Sequence, residues 1–171
     1  MSKIKWFPII EFFLLFVTIL FDGQFSNFLF VLSKGTVYAT SNIFLIFLMY
    51  VVLRNSYLYN VLISLILGFI YDSYFTGIIG IAALIYPLIA LFIYHIRTIV
   101  HTSRVTRFYT LVIIITIFEV MKVTIVQIMG LGSIEFVPFI SKTLAPTLAL
   151  NIVLWLLLQI PLEKIFIERK S

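Results

Sequence analysis

Six times between residues 6 and 165 the sequence returns to a long apolar run, with only short polar intervals between. A chain of 171 residues that is 63% hydrophobic and 11% charged has too little polar surface to cover such runs in water. The solvent it fits is a bilayer, where backbone polar groups must be satisfied internally and apolar runs of this kind form helices. The runs cover residues 6–21, 38–53, 57–72, 77–96, 108–129 and 143–165. They predict an all-α integral membrane protein, one domain of six transmembrane helices over residues 1–171. Several runs fall short of the roughly 20 residues that a bilayer core needs, so local thinning or extension into loops is expected. The stretch "FSNFLFVL", residues 25–32, is too short to span and reads as an interfacial or partly re-entrant piece of the first external loop. The first run is followed by "DGQFSN" and not by small residues, so it reads as an inserted helix and not as a cleavable signal.

A net charge of +5 in a soluble protein would suggest nucleic acid, but here position decides against it. The basic residues edge the apolar runs, as topology signals and contacts to anionic lipid do. With six helices, Lys3, Lys5, Arg54, Arg97, Arg104, Arg107, Lys164, Arg169 and Lys170 fall on one side, against Lys34 and Lys142 on the other. Both termini are therefore expected in the cytoplasm.

Polar residues inside the apolar runs are the next signal, because a polar group in hydrocarbon needs a partner or a water-filled cavity. Asn60, Ser64, Gly68 and Asp72 recur every four residues and share one helix face. Gly77, Gly80, Ala83, Pro87 and Ala90 give the following helix a small-residue face, so the two helices are expected to meet as a tight hairpin. Thr76 is a candidate N-cap for that second helix, and Asp72 a candidate acceptor for its exposed amide groups. Asp72 reads either as an aspartate solvated at the external interface or as a buried acid that fixes the hairpin or meets another subunit. Glu119 and Lys122, three residues apart, are neighbours on their helix and predict an internal ion pair. The alternative is a partner across the bundle, with Glu11 the candidate for Lys122. Thr143, Thr147 and Asn151 again recur every four residues, with Gln159 beyond them, and suit interhelical hydrogen bonds.

Catalytic signatures do not emerge. No nucleophile, base and orienter stand together, and no phosphate loop, dinucleotide fingerprint or zinc spacing occurs. With no Cys in the chain, disulfides and thiolate metal sites are excluded. His95 and His101 lie off the helical repeat among Arg97, Arg104 and Arg107 and read as part of a solvated cytoplasmic loop. No enzyme activity, cofactor or metal is expected.

The stretch "SLILGFIYDSYFTGIIGIAALIYPLIALF", Ser64 to Phe92, resembles the rod shape-determining protein MreD family. The family's G-x-x-x-D element matches Gly68 and Asp72, and its paired glycines match Gly77 and Gly80. "SNIFLIFLMYVVL" is similar to its second helix, with Ser41 where a proline often precedes the Asn, and "NIVLW", Asn151 to Trp155, is similar to its last. The resemblance implies a multi-pass subunit of the bacterial cell membrane, a compact bundle comparable to the S-components of energy-coupling-factor transporters. It implies a non-enzymatic scaffold that binds MreC, a single-span protein, and supports lateral peptidoglycan synthesis beside RodA and a class B penicillin-binding protein, with MreB as an indirect partner. The alternative is an energy-coupling-factor S-component that binds a vitamin. Its Ala-x-x-x-Ala docking motif is missing from the first helix, which has no Ala. An ion-coupled carrier is the third reading, weakened by the lack of an aligned acid chain.

Overall fold

The computed structural model describes residues 7–130, 132 and 135–167. Trp6, which opens the first expected span, and the terminal charges Lys3, Lys5, Arg169 and Lys170 lie outside them. The helices are α1 (Phe7–Leu32), α2 (Ile43–Arg54), α3 (Tyr57–Tyr71), α4 (Ile81–His95), α5 (Arg97–Thr102), α6 (Arg104–Ile128), α7 (Phe136–Phe139) and α8 (Ala145–Phe166). A π-helical turn, Asp72–Thr76, prolongs α3, and a second, Ile140–Leu144, joins α7 to α8. Among the described residues there is no strand.

Four helical stretches are long and apolar enough to cross a membrane: Pro8–Leu32, Tyr57–Phe75, Arg104–Ile128 and Phe136–Phe166. Ile43–Arg54 and Ile81–His95 are apolar but shorter. At about 1.5 Å per residue, the 12 residues of α2 make roughly 18 Å, well under the thickness of a hydrocarbon core. Nine of them are buried, on every face of the helix, so α2 runs through the middle of the bundle. Residues 37–42, which are not helical, lead into α2.

Contacts define the two ends of the bundle. At one end Asn55 meets Glu11, the Tyr59 hydroxyl donates to the Pro8 carbonyl, and Arg107 pairs with Glu163. At the other end, Asp22 meets Ile43 and Phe44, Asp72 meets Ala82 and Ala83, and Thr40 meets Thr147. Helices α1 and α2, α3 and α4, and α6 and α8 therefore run antiparallel in pairs. Between the ends the core is continuous, with Tyr86 tilted against Phe44 and stacked on Phe118 at ring separations of 4.5 and 5.5 Å. Apolar side chains such as Phe13, Val17, Leu62, Ile66, Leu157 and Ile160 face outward, as hydrocarbon permits.

Several expected boundaries are corrected. Residues 25–32 are not a separate interfacial piece, because α1 continues unbroken to Leu32. Within the helical "DGQFSN" interval Asp22 and Ser26 turn inward while Gln24 and Asn27 are exposed, and Gly23 lets the Phe75 ring pack against the helix where any Cβ would collide. The second helix does not reach back to Tyr38 but starts at Ile43. The fourth starts at Ile81 and not at Gly77, with Gly80 and not Thr76 at its N-cap position. Gly77 and Gly80 form the turn at φ 66° and 120°, a backbone region closed to most side chains. The fifth starts at Arg104, where Ser103 and Thr106 form a reciprocal capping box, and not at residue 108. Arg107 thus leaves the solvated loop expected for it and is buried. The sixth begins well before residue 143, with Phe136, since Glu135 and the π turn extend it.

Candidate functional site

A helix that starts inside an apolar slab presents N–H groups that no water can reach. Two helices, α2 and α4, start in this way at the same end of the bundle, and an aspartate from the preceding helix meets each. From α3, Asp72 accepts from the Gly80 and Ala83 N–H groups through Oδ2 at 2.9 and 3.0 Å, and from the Ala82 N–H through Oδ1 at 2.9 Å. From α1, Asp22 accepts from the Ile43 N–H and the Ser41 hydroxyl through Oδ1 at 2.9 and 2.6 Å, and from the Phe44 N–H through Oδ2 at 2.7 Å. Each carboxylate is buried, and each lies where the positive end of the helix dipole favours an anion. Asp72 is therefore buried and not solvated at the external interface.

The α3 stripe is built for this contact. Asn60, Ser64, Gly68 and Asp72 are all buried against the bundle. A Cβ on Gly68 would lie 2.6 Å from the Ala83 Cα and 2.7 Å from the Ala82 carbonyl oxygen, so only glycine lets the two backbones approach. The Ser64 hydroxyl and Asn60 Oδ1 have no hydrogen-bond partner among the described residues, so Ser64 serves by its size. On the facing helix Ala83, Pro87 and Ala90 are buried while Gly77 is exposed, so the small-residue face begins after the turn.

Residues 37–42 pose the harder problem, because extended backbone within a helical membrane bundle has no sheet to pair with. The bundle supplies the missing acceptors on two sides. Toward α8 and its π turn, the Tyr38 N–H donates to the Lys142 carbonyl at 2.8 Å, Thr40 N–H to Thr147 Oγ1 at 3.1 Å, and Asn42 N–H to Asn151 Oδ1 at 2.7 Å. Toward α1, the Ser41 N–H donates to Ser26 Oγ at 2.9 Å. Alternate residues point to opposite sides, as extended geometry demands. Two extended residues advance about 7 Å, close to the rise of four or five helical residues, so the 142, 147 and 151 positions keep pace with 38, 40 and 42. The Lys142 carbonyl is free for this role because Pro146, four residues on, has no N–H to give it. Asn151 completes the staple by donating to the Thr40 carbonyl at 2.8 Å.

Glu119 and Lys122 form the expected pair, Nζ to Oε2 at 2.7 Å, with Glu119 fully buried and the Lys122 side chain 28% accessible. Lys122 also lies 5.2 Å from the Phe118 ring centroid. Glu119 reaches across the bundle as well, accepting from the Thr40 hydroxyl at 2.6 Å. Glu11 is not the partner of Lys122. It is eleven residues from Asp22 along α1, a separation of about 16 Å, and accepts from Asn55 Nδ2 at 2.8 Å at the opposite end. At that opposite end Glu163 accepts from Arg104 Nε at 2.9 Å and Arg107 Nη2 at 2.8 Å.

Two hollows flank the stapled segment. One, of about 130 Å³, is lined by Asp22, Ser26, Thr40, Ser41, Asn42, Tyr71, Tyr86 and Lys122 among others. The other is an apolar groove between the segment, α6 and residues 138–143, and it shares Thr40 and Lys122 with the first. Among the described residues no three His, Cys, Asp or Glu side chains gather into a metal-binding group. Asp22, Thr40, Arg107 and Glu163 are the participants that sequence reasoning missed. The signal for Asp22 was an acid about 20 residues before a short apolar helix with no cap of its own.

The class defined by this fold and site is an all-helical membrane protein whose buried acids and amides hold backbone in place. The chain belongs to the rod shape-determining protein MreD family, whose profile matches residues 4–168. It is 27% identical over 149 residues to the "Cell shape-determining protein MreD" of Streptococcus pneumoniae (strain ATCC BAA-255 / R6), covering 87% of this chain and 90% of that one. No solved structure matches it.

Proposed function

We propose that the protein is a non-enzymatic scaffold of the cell-elongation machinery in the bacterial plasma membrane, crossing it six times with both termini inside. In this reading it binds an MreC-type single-span protein and supports lateral peptidoglycan synthesis, alongside RodA, a class B penicillin-binding protein and, indirectly, MreB. The observation that carries the reading is the use of the acids at the aspartate end. Asp22 and Asp72 each accept three hydrogen bonds from the protein, and Glu119 is taken by Lys122 and Thr40. These acids are engaged in holding the fold, and apolar helix faces remain for other membrane helices. Asn60, Ser64, Gly68, Asp72, Gly77, Gly80, Pro87, Glu119, Lys122 and Asn151 shape the bundle that presents those faces. A vitamin-binding transporter subunit is disfavoured by the first helix, which lacks the Ala-x-x-x-Ala docking motif of that class.

The test is copurification of the full-length chain, in mild detergent, with the single-span partner expressed beside it. A stoichiometric complex is expected. Failure to associate under conditions that keep other membrane complexes intact would overturn the partner assignment, and tight binding of a vitamin to the isolated chain would favour the transporter subunit instead.

A further inference from the structure

The apolar groove beside the stapled segment shares Tyr38, Thr40 and Lys142 with the staple, but the Lys142 ammonium and the wall of Val123, Pro138 and Phe139 take no part in the stapling bonds. Its volume is about 420 Å³, within the roughly 300–1,000 Å³ of sites that hold small molecules. Val123, Pro138 and Phe139 give it an apolar wall, and its charged lining is Glu119, Lys122 and Lys142. Glu119 and Lys122 neutralise each other, whereas Lys142 has no ion-pair partner among the described residues. The groove thus carries one uncompensated positive charge. Exposed Phe136, Val137 and Ile140 precede Lys142 on its helical stretch, so the ammonium lies beside hydrocarbon-facing surface, where a cation is costly unless an anion meets it. Its backbone is held by the Tyr38 N–H at 2.8 Å, and it belongs to a π-helical turn, a distortion that recurs at functional sites.

We propose that this groove binds one anionic phospholipid, with an acyl chain along Val123, Pro138 and Phe139 and the phosphate at Lys142. A zwitterionic lipid would bring its own cation to Lys142, and a soluble anion would leave the apolar wall uncovered.

Native mass spectrometry of the full-length protein in neutral detergent, with equal amounts of phosphatidylglycerol and phosphatidylcholine of the same acyl chains, reads the preference. One phosphatidylglycerol per chain is expected to be retained over phosphatidylcholine. Lys142→Gln should reduce the preference roughly fivefold, the weight of one lysine beside an anionic lipid, and Lys142→Arg should keep it. Lys34→Gln, an exposed cation at the same end but outside the groove, should leave it unchanged. Val123→Trp, which fills the groove, should lower retention of both lipids. An unchanged thermal midpoint for each variant shows that the fold is intact. Equal retention of the two lipids, indifference to Lys142→Gln or Val123→Trp, or an equal loss with Lys34→Gln would overturn the proposal.

Discussion

At the scale of single residues, Asp72 and Asp22 are the same device used twice. Each is an acceptor that lets a short helix begin where water is absent. Removing the carboxylate of Asp72 strands the N–H groups of Gly80, Ala82 and Ala83, each at a cost of about 1–3 kcal/mol. Asp72→Leu should therefore lower stability by at least about 3 kcal/mol, read as a fall in the thermal midpoint in detergent, and Asp72→Asn by less because one acceptor oxygen survives. Glu135→Leu should stay within about 0.5 kcal/mol, since its side chain is exposed and makes no cap bond. Equal tolerance of the two leucines would sink the capping role. A second expectation concerns the buried pair: Lys122→Met alone leaves the Glu119 carboxylate with only Thr40, whereas Glu119→Gln combined with Lys122→Met removes the stranded charge. The double variant should recover most of the midpoint lost by the single one, and an additive loss would show that the pair is not coupled.

At the scale of elements, the α3–α4 hairpin rests on Gly68, because a methyl there meets the Ala83 backbone and not a side chain that can swing away. Gly68→Ala should loosen the hairpin and pull the Asp72 carboxylate from its amides, giving a midpoint loss that is not additive with that of Asp72→Leu. Strict additivity would place the two residues in separate roles. This hairpin was legible in the sequence, since the four-residue recurrence from Asn60 to Asp72 fixes a helix face without knowledge of its partner. The same periodicity marked Thr147 and Asn151 but could not reveal what they bind, because their partner is extended backbone more than a hundred positions away. Residues 37–42 carry no period of their own, so an apolar reading merged them with α2. Asp22 was misread for a related reason: a polar cluster on a continuous helix and a polar loop look alike until its bonds to Ile43 and Phe44 are seen.

At the scale of the whole molecule, the central question is how helices of 12 and 15 residues take part in a bundle with α1 and α6, of 26 and 25 residues. For α2, the lead-in of residues 37–42 adds about 20 Å to a helix of roughly 18 Å, which together exceed a hydrocarbon core of about 30 Å. For α4, the turn through Gly77 and Gly80 sets the helix start below the end of α3, and Asp72 seals it. The proposed six-traverse topology requires both short helices to connect opposite faces of the membrane, with residues 34, 79 and 135 outside and residues 56 and 101 inside. The chain has no Cys, so single cysteines can be read without background. Lys34→Cys, Ile79→Cys and Glu135→Cys should react with a membrane-impermeant maleimide in intact cells, and Ser56→Cys and His101→Cys only after the membrane is opened. All five positions are exposed, so failure to react reports sidedness and not burial. If Lys34→Cys and Ser56→Cys label alike, α2 does not cross; if Ile79→Cys and His101→Cys do, α4 does not, and in either case the six-traverse architecture falls.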